Sequence, residues 1–180
     1  TNMGRVQLLV PLALLGFLAI AGVDAQDCPN KFRQVGARCL HVSNAIFEDP
    51  TFRPVTWGVG RNLCKNMTDA KWTVDLLSNF DVNFLRLVSL NIHNNYPDLS
   101  KGYYIYWIGG EYLNDQWQWL DGTPIDPHSY IWLMNCPRIN PTGSHTMLVP
   151  AGPGGKRQYA NEYGPQNVGP SFICEAKSKK

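Results

Sequence analysis

The first long apolar run, "LLVPLALLGFLAIAG", follows Arg5 and is short for a membrane span. Val23-Asp24-Ala25 comes next, with small residues at −3 and −1 of a cut after Ala25. This pattern predicts a secretory signal peptide over residues 1–25, with Thr1-Asn2 as upstream sequence, and a mature chain from about Gln26. Beyond it the apolar positions follow two periods. "DCPNKFRQVGARCLHV" sets two cysteines around a Gly turn and predicts a hairpin. "TWGVGRNLCKNM" puts Trp57, Arg61 and Cys64 on one helical face, with Thr56 placed as N-cap. Ser78-Asn79-Phe80-Asp81 has the capping-box pattern, and Phe80, Phe84, Leu85 and Val88 predict the buried stripe of a second helix.

After Pro97 the pattern changes. "YYIYWIGG" is aromatic and β-branched and predicts a strand. "QWQWLDG" predicts another, with Trp117 and Trp119 on one face. Asp121 to Gly143 shows no sustained period and reads as a long loop, a feature usually functional in a compact domain. "HTMLVPAG", "KRQYANEY" and "SFICEAK" predict three closing strands. There are no internal repeats and no interdomain linker. A chain of 180 residues ordered in this way predicts one domain over 26–177, ending in a short basic tail, 178–180.

Charge and cysteine usage narrow the class. A formal net charge of +2, scattered along the chain, gives no basis for nucleic-acid binding. In an oxidising compartment the five cysteines are expected as disulfides with one left over, and counting alone does not choose the pairs. Asn66-Met67-Thr68 is a sequon, so Asn66 is the expected glycosylation site; Asn140-Pro141-Thr142 is excluded by its Pro. An enzyme reading lacks motifs: there is no Gly-x-Ser-x-Gly and no His-Glu-x-x-His. The four histidines are scattered without metal-ligand spacing, and nothing in the sequence orients His128 or His145 toward Cys136.

Several marks in order resemble the C-type lectin-like domain family. "CPNKFRQVGARC" looks like the N-terminal hairpin of its long form, and Cys64 sits in the first helix. Trp107-Ile108-Gly109-Gly110 is similar to the family's Trp-Ile-Gly-Leu strand, "WQWLDGTPI" to the strand after it, and "FICE" at Phe172–Glu175 to the last strand. The match covers about Cys28 to Lys177, and the short secreted lectins of invertebrates are the nearest type. The resemblance implies an α+β fold, two helices flanking small antiparallel sheets with a long ligand loop. It also implies the pairs Cys28–Cys39 and Cys64–Cys174. The second would close a loop of about 110 residues, worth roughly 4–5 kcal/mol in the chain-entropy account.

In sugar-binding members a Glu-Pro-Asn or Gln-Pro-Asp in the long loop, with a cis Pro, supplies Ca²⁺ ligands, and a Trp-Asn-Asp on a later strand supplies more. Here Trp132 is followed by Cys136-Pro137-Arg138 at the first position. Thr146 takes the place of the second core Cys, and its usual partner position holds Gln166. The rival alignment makes Cys136 that core Cys. Ca²⁺ takes six to eight oxygens, a thiol is a poor ligand for so hard an ion, and a guanidinium repels it. The Ca²⁺-dependent sugar site is therefore expected to be degraded. Asn161 and Glu162 in "YANEY" are either its remnant, binding Ca²⁺ weakly, or exposed strand polar residues. Asp121 and Asp126 are either further oxygen donors or turn residues. Arg138 would anchor a carboxylate or phosphate if the loop still binds. Tyr130 and Trp132 are candidates to stack on sugar faces, with packing under the loop as the other role for Trp132. Cys136 is buried, capped, or bridged to a second copy as a homodimer. Two functions remain: a secreted lectin recognising microbial glycans in innate immunity, and a Ca²⁺-independent lectin-like domain binding protein, lipid or an anionic ligand. Metal dependence separates them.

Overall fold

The computed structural model describes residues 27–43, 53–96, 105–137, 143–150, 158–164 and 167–179. The leader, Arg138 and Gln166 lie outside them.

The N-terminal hairpin forms as its sequence predicts. β1 (Arg33–Val35) and β2 (Arg38–Val42) pair antiparallel around Gly36, whose φ of +59° suits a residue without Cβ. Cys28–Cys39 closes it. Next come β3 (Val55–Thr56) and α1 (Trp57–Lys65), capped by Thr56, whose side chain accepts from Val59 N at 3.5 Å. Trp57, Gly60 and Cys64 are the buried positions of α1. Arg61 stays half-buried, above the Trp57 ring and paired with Asp75 at 3.0 Å.

β4 (Trp72–Leu76) leads to α2 (Val82–Asn95). Its N-cap is Asp81, which accepts from Phe84 N at 2.8 Å, three residues later than the capping-box pattern at Ser78 predicts. Asp81 takes the role because the chain before it is still engaged: Leu77 N bonds Ile173 O, and Ser78 O accepts from Arg38. The buried stripe consequently shifts to Leu85, Val88, Ser89 and Ile92, with Phe80 packed on Phe84 just ahead of the helix.

The remaining strands are β5 (Tyr106–Leu113), β6 (Gln116–Trp119), β7 (His145–Pro150), β8 (Gln158–Tyr163), β9 (Val168–Gly169) and β10 (Ser171–Ser178). β10 organises the sheet. It pairs antiparallel with β2 and β4, and parallel with the start of β5 through Ser171↔Tyr106 and Phe172↔Trp107. β5 carries β6 and β7, and β7 carries β8, all antiparallel. The two small antiparallel sheets of the expected fold are thus joined through that short parallel step, and β3 and β9 form a separate two-stranded ladder.

The apolar side chains fill two clusters. One places α2's Leu85, Val88 and Ile92 against Leu40, Tyr106, Ile108 and Ile173, and runs on under the long loop as Trp117, Trp119, Ile125, Ile131 and Trp132. The other gathers Trp57, Trp107, Met147 and Phe172 around Cys64–Cys174, whose 110-residue separation ties α1 to the last strand. Glu175, 5% exposed, is paired with Arg38, whose guanidinium lies over the Phe84 ring. Among the described residues no helix is long and apolar enough to cross a membrane.

Candidate functional site

The long loop leaves β6 at Trp119 and is pinned to the sheet twice. Gln118 bridges Pro124, and Trp132 bridges Ala160 of β8. Around the second point Ala160 N donates to Ile131 O at 2.7 Å and Leu133 N donates to Ala160 O at 2.8 Å. The backbone of residues 131–133 therefore runs as an added edge beside β8. That is what brings Cys136 to Asn161.

Trp132 takes the packing role of the two left open by sequence. It is 5% exposed, donates from Nε1 to Asp126 O at 3.0 Å, and meets the Trp117 ring edge-on at 5.3 Å. Tyr130, two residues earlier, is 82% exposed, and Met134 is 83% exposed. With Tyr159 and Cys136 these residues line a cleft of about 620 Å³ on the loop surface. Met134 and Tyr159 are contributors that sequence reasoning missed; the only signal was an apolar residue within a loop and an aromatic one beside "ANEY".

The Cys136–Pro137 bond is cis. Cys136 is the one cysteine outside a disulfide among the described residues and is half-buried, and its thiol donates to Asn161 Oδ1 at 3.0 Å. The same oxygen accepts from Glu162 N at 2.9 Å. Glu162 follows on β8, in register with Thr146. Next along, burial pushes the Tyr163 hydroxyl above its ordinary pKa, while a hydrogen bond with Asn161 acts the other way. Thr146, fully buried, fills the core position opposite Gly110: its hydroxyl accepts from Gly110 N at 3.0 Å and bonds Gly110 O at 3.2 Å. A Cβ on Gly110 would stand 2.5 Å from Thr146 Oγ1, so the strand needs glycine there.

The two acidic loop residues hold turns. Asp121 accepts from Thr123 N and Oγ1 through Oδ1 and from Asn79 through Oδ2; its carboxyl sits below the usual range chiefly because of the Thr123 hydroxyl. Asp126 Oδ1 accepts from His128 N at 2.8 Å.

Among the described residues, those at the expected ligand positions do not fit Ca²⁺. The residue before Pro137 offers a thiol, and the amide oxygen expected as a remnant ligand already accepts two protein donors. Among the described residues no three His, Cys, Asp or Glu side chains stand close enough to share a metal ion. What the cleft offers is an exposed aromatic face and a thioether beside polar backbone, which suits stacking and hydrogen bonding rather than metal coordination.

Neither a protein-family model nor a curated protein sequence matches this chain. Solved structures do match. The C-type lectin CEL-I from Cucumaria echinata superimposes with a TM-score of 0.62 at 17% identity, over 84% of this chain and 99% of that one. The C-type lectin domain of murine dendritic cell inhibitory receptor 2, solved in complex with N-glycan, gives 0.60 at 16% identity, over 85% and 100%. Human lithostathine gives 0.59 at 19% identity, over 96% and 98%. The architecture this chain shares with them, at low identity and over nearly their whole length, is the C-type lectin fold.

Proposed function

We propose that this chain is a secreted, non-enzymatic carbohydrate-recognition domain that reads glycans on microbial surfaces in innate defence, with its Ca²⁺-linked sugar site degraded. The fold and the murine relative bound to N-glycan support the glycan class. The leader-like residues 1–25 and the two disulfides support secretion. The degraded site is carried by one observation, the Cys136 thiol bonded to Asn161 Oδ1. In this reading the protein's own side chains bind the sugar. Tyr130 offers its ring face, Tyr159 and Cys136 wall the cleft, and Trp132 holds the loop up from beneath. Arg138 follows directly and would add an anion anchor; Asn66 is exposed at the C-cap of α1 and would carry an N-glycan. Cys136 is read as a thiol kept within the fold rather than a bridge to a second copy, because such a bridge would break its bond to Asn161.

The exposed pair Tyr130 and Met134 favours one other reading, a protein or lipid partner seated on the same cleft without metal. A glycan panel probed with the secreted protein, in Ca²⁺ and again in excess chelator, separates the two. Binding that survives chelator and weakens in Tyr130→Ala supports the proposal. Binding abolished by chelator restores a metal site and sinks it; no binding to any glycan in either buffer favours the protein or lipid partner.

A further inference from the structure

A second cleft, of about 330 Å³, lies between the tip of the β5–β6 hairpin and the loop. Its aromatic side is Tyr112 and Trp117, whose rings meet edge-on with centroids 5.5 Å apart. The hairpin tip turns through Asn114 and Asp115, both at positive φ, as a two-residue turn of the tight type requires. The tip brings Asp115 and Gln116 to the cleft, and the loop brings Asp126.

One atom here is unexplained. Trp117 is 5% exposed, and its Nε1–H has no acceptor among the described residues. Three other buried indoles are satisfied. Trp57 donates to Ile108 O at 2.8 Å, Trp107 to Val55 O at 2.8 Å, and Trp132 to Asp126 O at 3.0 Å. A buried N–H without a partner is costly, and an oxygen brought by a ligand would remove that cost.

We propose that this cleft is a metal-independent subsite for one neutral sugar residue of a bound glycan. The inference rests on the glycan reading above. The C–H face of the sugar lies on Tyr112, Trp117 donates its indole N–H to a ring or hydroxyl oxygen, and sugar hydroxyls donate to Asp115 and bond Gln116. Carboxylates on both walls, Asp115 and Asp126, oppose an anionic sugar or a phosphate. Polar groups few in number against an aromatic and proline lining are what a small neutral ligand needs.

The test uses the full secreted chain with its disulfides intact, in excess chelator. The probes are the methyl glycosides of mannose, galactose and N-acetylglucosamine. The readout is the set of indole ¹H–¹⁵N resonances of the six tryptophans, with Trp117 assigned by Trp117→Phe or, if that variant does not fold, by through-bond correlation. The proposal expects one glycoside to move the Trp117 resonance downfield, and Gln116→Ala and Tyr112→Leu to weaken that titration about tenfold with the rest of the spectrum unchanged. Gln116 is exposed, so its variant tests the site without testing the fold. A glycoside that shifts the indole resonance of Trp132, which lines the cleft with Tyr130, while Trp117 stays still overturns the subsite and leaves the lectin reading standing. No response to any of the three overturns both.

Discussion

His145 lies face to face with Trp57, ring centroids 4.1 Å apart, and is half-buried beneath α1. Burial, aided by the nearby Arg61 charge, lowers its pKa from 6.5 to about 4. Between those values the unfolded chain binds a proton that the native protein does not. The stability tied to this residue is therefore present above pH 6.5 and is lost as pH falls toward 4. His145→Phe keeps a ring on Trp57 and removes the titration. Its unfolding midpoint should fall less than the wild type's across that window, and parallel curves would show that His145 does not titrate this way. The same scale shows what a sequence can and cannot carry. Cys136 was legible as the odd cysteine, and Asn161 as a candidate donor, but not that one binds the other. That contact spans 25 positions and depends on how the loop lies against β8, which no local period encodes.

At the scale of elements, the loop joins one residue that holds it and one that faces outward. Trp132 is buried against Trp117, and Tyr130 is exposed. Trp132→Ala should destabilise the protein by about 3–5 kcal/mol, the range for emptying a large aromatic site. Tyr130→Ala should stay within about 0.5 kcal/mol while reducing ligand binding. Urea unfolding of both variants checks the contrast, and equal losses would mean Tyr130 is structural. The hairpin, α1 with its Thr56 cap, and strands β5, β6, β7, β8 and β10 were readable because their signals are local: a Gly turn, a helical face, aromatic and β-branched runs. The start of α2 was misjudged because Ser78 has a capping side chain but lies in backbone already bonded to β10 and Arg38. β4 escaped notice although "WTVDL" alternates, and β3 and β9 are too short to announce themselves.

At the scale of the whole molecule, protein contacts tie the described part of the loop to the sheet. β10 joins both halves, Cys64–Cys174 ties α1 to it, and the loop is fixed to β8 by backbone bonds around Ala160. The resemblance named the fold before the structure did, because the family's marks lie in these framework strands. The ligand loop stayed uncertain because its chemistry is set by three-dimensional neighbours. We propose that the loop has kept its frame while its residues no longer coordinate Ca²⁺. Thermal unfolding of the secreted, disulfide-bonded protein in Ca²⁺ and then in excess chelator tests this most directly, since any ion bound by the native state must raise the midpoint. The account predicts coincident curves. A midpoint clearly higher in Ca²⁺ would mean the loop still builds a metal site, and would contradict it.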